Sequence, residues 1–178
     1  RRSQASLESP SSVTVITDED IRLSGATNIP QLLRRVPGMD VMEMGVSSAN
    51  VSSRGFNQRL SNKVLVLVDG RSVYQDFLGV TFWAMLPVAL ADVKRIEVIR
   101  GPGSTLYGAN AFLGVVNIIT KLPAESTGVT IEAGAGNGYV GRGLITAAGR
   151  SATMSYRTTI GYEHADKWSL DFDPAHAA

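Results

Sequence analysis

Gly103 and Gly108 carry the G-x-x-x-x-G spacing of a phosphate-binding loop. Such a loop needs a lysine and then a serine or threonine directly afterwards, to reach the phosphates and the magnesium ion. Ala109 and Asn110 stand in those positions, so the loop has no cation to offer a nucleotide. The two histidines, His164 and His176, have no partners at ligand spacing and read as solvent-exposed. Asp171 and Asp173, beside Pro174, are too few for a calcium loop. No serine can be paired with a base to make a nucleophile. The chain has no cysteine, which removes disulfides and thiolate metal sites and is compatible with the periplasm or the outer membrane. The expectation is a protein that is not an enzyme and uses no cofactor or metal. A nucleotide-using enzyme would have to bind phosphate at residues 101–108.

Composition narrows the field further. Lysine plus arginine number 17 against 16 acidic residues, and the basic residues are scattered, so nucleic acid is not an expected partner. An apolar content of 44% excludes wholesale disorder. The length, 178 residues, suits one domain with a sizeable core and an appendage. The start, Arg1, lacks an initiator methionine and a signal-like apolar run, and reads as processed or trimmed. No segment reaches the length of a membrane helix, which leaves barrel strands open.

Around the glycine loop the elements follow from local patterns. Residues 1–12 are polar and serine-rich, a flexible lead-in, and 13–16 form a short strand. Thr17 and Asp20 make a near capping box for a helix that ends at Ser24-Gly25. Asn28 starts the next helix, with Pro30 in its first turn. Ile29, Leu32, Leu33 and Val36 form one apolar stripe, and Pro37-Gly38 stops the helix. Residues 45–49 read as a loop and 63–68 as a buried central strand. Asp69-Gly70 turns the chain into 71–74. Strands at 93–99 and 114–120 flank the glycine region, where Ser104 can cap a helical turn over 104–107. Arg95 and Glu97 share one strand face and are expected to pair, opposite Ile96 and Val98. Val115 to Ile119 barely alternates, as in a strand covered on both sides.

After Pro123 come three glycine- and threonine-rich runs, 127–135, 139–148 and 152–162. In the third, Ala152, Met154, Tyr156, Thr158, Ile160 and Tyr162 alternate with Thr153, Ser155, Arg157, Thr159 and Gly161. This suits a lipid-facing wall around a polar interior, and equally a soluble antiparallel sheet with one wet face.

The run R-I-E-V-I-R-G-P-x-S-x-L-Y-G-x-x-A-x-x-G-V-V-N-I-I-T-K, residues 95–121, resembles the plug-domain signature of TonB-dependent outer-membrane receptors. Phe112-Leu113 is a mild departure from it. N-x-P-Q-L-L-R-R-V-P-G-M-D-V from Asn28 and K-V-L-V-L-V-D-G-R from Lys63 are similar to the same family. The resemblance implies an α+β plug domain over residues 1–123, with short helices and a mixed four-stranded sheet. It makes residues 124–178 the first antiparallel strands of a truncated 22-stranded outer-membrane barrel. The plug would sit in the barrel lumen facing the periplasm and gate import of an iron complex (siderophore), cobalamin or similar scarce nutrient. Its partners would be the cargo, outer-membrane lipid around the barrel, and TonB through a segment upstream of Arg1. A soluble periplasmic signalling or protein-docking module with a plug-like fold is the alternative.

Site residues follow from the same resemblance. The loops reaching the extracellular side of the plug correspond to residues 45–50 and 74–83. Gly45, Ser47, Ser48 and Asn50 let backbone approach a bulky ligand. Tyr74, Phe77, Phe82 and Trp83 offer rigid aromatic surface, with Tyr74 and Phe77 expected exposed and Phe82 and Trp83 competing for core positions. Arg54 and Arg100 match the plug arginines that pair with barrel-wall glutamates. Without that wall both are expected exposed and mobile.

Overall fold

The computed structural model describes residues 12–43, 49–53, 64–75, 77–101, 107–125, 127–136 and 140–164. The chain divides into two compact units, residues 1–120 and 121–178. Among the described residues no helix is long and apolar enough to cross a membrane, which leaves spanning by strands untouched.

The first unit is built on a five-stranded sheet in the order β1-β6-β7-β4-β5. Its strands are β1 (Ser12–Thr17), β4 (Val64–Val68), β5 (Arg71–Ser72), β6 (Val93–Arg100) and β7 (Gly114–Thr120). The β4–β7 pair is parallel and the others antiparallel, so the sheet is mixed as expected. It has five strands rather than four, because the Asp69-Gly70 turn pairs two residues of β5 back onto β4. Both turn residues have positive φ, 48° and 79°, the two-residue turn whose twist matches a hairpin. A separate two-stranded sheet joins β2 (Met39–Glu43) to β3 (Ala49–Ser53).

Two helices cover one face. In α1 (Asp18–Ser24) the Thr17 side chain accepts from the Asp20 N–H at 3.2 Å, while the Asp20 carboxylate accepts from the Thr17 N–H at 2.8 Å. This satisfies two otherwise orphan donors and completes the capping box. In α2 (Ile29–Leu33) the Asn28 side chain caps the Gln31 N–H at 3.0 Å. Ile29, Leu32, Leu33 and Val36 are all buried against Ile96, Val98, Val116 and Ile118 of the sheet. The register explains the division of faces. Ile96, Val98, Val116 and Ile118 point to the helices, whereas Ile99 and Val115 join Leu65, Leu67, Tyr74 and Ala111 in a second cluster behind the sheet. The central strand β7 is thus covered on both sides, in keeping with its unbroken apolar run.

Gly114 is required where β7 begins. A Cβ there would lie 2.7 Å from the Ile99 carbonyl oxygen, a backbone atom that cannot swing away.

The second unit is a three-stranded antiparallel sheet in the order β10-β9-β8. The strands are β8 (Gly128–Gly136), β9 (Val140–Arg150) and β10 (Ser155–His164). Their register aligns Ile131, Ile145 and Ile160 in one row and Thr130, Thr146 and Thr159 in the next, on opposite faces.

Candidate functional site

The glycine-flanked motif occupies the middle of the first sheet: its two arms are β6 and β7, hydrogen-bonded to each other. Arg95 Nε donates to Glu97 Oε1 at 2.8 Å, the expected pair, and Asn117 Nδ2 donates to Glu97 Oε2 at 3.3 Å. Both charged side chains remain partly solvated, so the ion pair is worth about 0–1 kcal/mol. Asp69 has a structural task that local patterns do not reveal. Its carboxylate accepts from the Thr120 N–H at 2.9 Å and the Thr120 hydroxyl at 2.8 Å, tying the hairpin turn to the end of β7. Ser104 lies outside the described residues.

The aromatic segment after β5 splits in two. Gln75 and Val80 bridge, and Gly79 at φ 67° closes the turn, which carries Phe77 at its tip with 97% of its surface exposed. Leu78 and Phe82 are also exposed, as is Met85 on the short helical turn Trp83–Met85. Tyr74 does not match its expectation. It is only 9% exposed, because the chain leaving β5 folds back over Leu65 and Leu67 and places the ring against Ala111 and Val115. Trp83 packs against the main core, the competing role foreseen for it, whereas Phe82 stays at the surface.

Asn50 departs from the expected loop. It sits in β3 opposite Met42 and is buried, since the strand that buries Val51 extends back through Ala49. Gly45, Ser47, Ser48 and Arg54 lie outside the described residues.

Arg100 was expected exposed and is instead half-buried at the end of β6. Its Nη1 donates to the Pro37 carbonyl oxygen, and its Nη2 donates to Ser12 Oγ at 2.5 Å and Thr14 Oγ1 at 3.1 Å. The register brings these groups together: Ser12 lies opposite Arg100 and Thr14 opposite Val98, on the helix-side face. The i, i+2 spacing of Ser12 and Thr14 was the one sequence signal for this arrangement. The partner strand, 86 to 88 residues away, was not legible.

The second sheet carries its apolar residues outward. Val129, Ile131, Ile145, Ile160, Tyr156 and Tyr162 share one face and are all more than half exposed. The ring of Tyr156 lies over Gly149, where a Cβ would meet ring carbons at 2.7 Å, so glycine leaves room for the aromatic to cover the backbone. The opposite face is polar. Thr146 is buried and its hydroxyl lies 3.1 Å from that of Thr159. Arg142 stands 3.9 Å from the Glu132 carboxylate and opposite Glu163 in register. Among the described residues no three acidic or histidine side chains converge as a metal site.

These features can be set beside known proteins. A family model described as TonB-dependent Receptor Plug Domain matches residues 5–115. The vitamin B12 transporter BtuB of Vibrio vulnificus (strain CMCP6) is 41% identical over 128 residues, covering 71% of this chain and 20% of that protein. The chain spans about a fifth of the length of the curated relatives it matches. Among solved structures, the siderophore receptor PirA from Pseudomonas aeruginosa aligns at TM-score 0.65 and 28% identity, over 89% of this chain and 29% of that one. The ferripyoverdine receptor of the outer membrane of Pseudomonas aeruginosa aligns at TM-score 0.69 and 25% identity, over 88% and 20%. The named relatives are transporters and receptors, not enzymes. With the motif forming the middle of the sheet and the family model spanning most of the first unit, this chain belongs to the TonB-dependent receptor plug domain family.

Proposed function

We propose that this chain is the plug, residues 1–123, and the opening wall strands, residues 124–178, of a TonB-dependent outer-membrane transporter. The barrel it begins would have twenty-two strands, the size of the plugged transporters. Its cargo is cobalamin or an iron–siderophore complex, and TonB engages a segment ahead of Arg1. One observation carries the reading. A plug sheet is followed directly in sequence by a sheet whose apolar face is exposed and whose polar face carries the buried Thr146. A soluble module would expose the polar face and cover the isoleucine row, so the exposed row supports a lipid-facing wall.

Within this reading the cargo surface comprises Gly45, Ser47 and Ser48 and the exposed aromatics Phe77 and Phe82. Asn50 and Tyr74, both buried, and the partly buried Trp83 belong to the same surface as its supports. Arg54 and Arg100 face wall glutamates, Arg100 in addition to its partners within the plug.

The test is uptake of labelled cyanocobalamin and of ferric siderophores by cells whose only receptor for each is the full-length protein. Accumulation that disappears when TonB is deleted is the expected result. Failure to fractionate with the outer membrane, or uptake indifferent to TonB, contradicts the proposal. Phe77→Ala should weaken cargo binding about tenfold with the fold intact, whereas Tyr74→Ala should lower stability instead.

A further inference from the structure

We infer that Arg100 is a latch, holding the first strand of the plug sheet and the α2–β2 turn to β6, and that breaking its bonds releases both together. β1 is an edge strand with β6 as its one neighbour in the sheet. Of its apolar side chains Ile16 alone is buried, and Val15 is 47% exposed. Little apolar burial therefore holds it, and such edges open locally at lower free energy than central strands.

The guanidinium of Arg100 supplies what burial does not. It donates to both polar side chains on the helix-side face of β1, Ser12 and Thr14, and to the carbonyl oxygen of Pro37. Gly38, next in the turn, lies directly under it: a Cβ there would be 3.7 Å from Nη1. The same turn is tied from the other side, where Ser53 Oγ of β3 donates to the Gly38 carbonyl oxygen at 3.3 Å. One side chain thus fastens to β6 two segments that lie 63 to 88 residues away from it in sequence.

Within the plug the latch is built from neutral groups. Its described acceptors are two hydroxyls and a carbonyl, all neutral, and Nε is buried with no acceptor among the described residues. Hydrogen bonds to a carboxylate would be roughly twice as strong. The guanidinium's described hydrogen bonds go to β1 and the α2–β2 turn and to neither β7 nor β4, which are held by pairing with each other. A partner that draws on chain ahead of residue 12 meets β1 first. That consequence rests on the proposed transport function, whereas the latch itself does not.

Amide hydrogen exchange of the full-length receptor in detergent tests the latch, read over residues 12–17, 36–43, 64–68 and 114–120. In Arg100→Met, exchange over 12–17 and 36–43 should speed up about tenfold or more, with 64–68 and 114–120 unchanged. Arg100→Lys, which keeps the charge but loses the fork, should fall between. The double variant Ser12→Ala/Thr14→Val, which removes the β1 acceptors and leaves Arg100 free to meet a wall carboxylate, should speed exchange over 12–17 alone. Unchanged exchange over 12–17 in whichever variant is read, or equal acceleration across all four segments, overturns the inference. Neither outcome bears on whether the receptor carries cargo.

Discussion

The two sheets of this chain use similar alternating or apolar strands in opposite ways. In the first, Ile96, Val98, Val115, Val116 and Ile118 are shut away from solvent, and charges such as the Arg95–Glu97 pair stay partly solvated. In the second, Ile160 is 71% exposed while Thr146, on the other face, is 4% exposed. Period-two alternation therefore specifies that a strand has two unlike faces, and nothing more. What decides which face is covered is the rest of the chain. Helices α1 and α2 carry an apolar stripe that fits the first sheet, while unit 121–178 has no element of that kind among its described residues.

The comparison breaks most visibly in the core. Ile96→Ala removes a buried side chain from between the sheet and α2 and should cost about 2–5 kcal/mol in chemical unfolding. Ile160→Ala in aqueous detergent should cost far less. Equal losses at the two sites would mean that the second sheet is buried as the first is.

Charge sharpens the contrast in the other direction. Ile160→Lys should destabilise the receptor in a lipid bilayer by about 2–4 kcal/mol if the residue lies near the midplane. The neighbouring Thr159→Lys, on the polar face, should be tolerated. Folding efficiency into vesicles reads both, and a tolerant Ile160 paired with an intolerant Thr159 would reverse the assignment of faces.

The smallest effects belong to the first helix. Thr17→Ala deletes the cap and should lower stability by about 1 kcal/mol. Hydrogen bonds from the Thr17 hydroxyl and then its N–H hold the Asp20 carboxyl below its ordinary value of 3.8. Asp20 therefore adds stability that is fully present above that value and fades as pH falls through the lower value of the folded state. In Thr17→Ala this acid-side loss should shrink, as urea unfolding at descending pH will register.

Local features were legible in the sequence. The Thr17–Asp20 box, the Asn28 cap, the α2 stripe, the Asp69-Gly70 turn and the Arg95–Glu97 pair each depend on residues within seven positions of one another. The motif over 95–121 identified the domain because its two arms are consecutive partners in the sheet. Long-range register was not legible. The parallel β4–β7 pair joins residues 50 apart, and β1 finds β6 across some 80 residues, so packing rather than local preference selects them. The unforeseen placements of Tyr74, Asn50 and Arg100 follow from that gap. Each was judged from its neighbours in sequence, and each is buried or bound by residues brought from elsewhere.

Cysteine is absent from these 178 residues, so with any thiol elsewhere in the receptor replaced by serine, a single introduced cysteine carries a spin label without competition. The most direct measurement labels Ile160→Cys and Thr159→Cys in turn in the full-length receptor, reconstituted in bilayers, and compares collision with oxygen and with a water-soluble nickel chelate. A lipid-facing wall predicts that position 160 meets oxygen and excludes the chelate while position 159 does not share that profile. A label at 160 that meets the chelate as freely as one on a water-exposed loop would contradict the account.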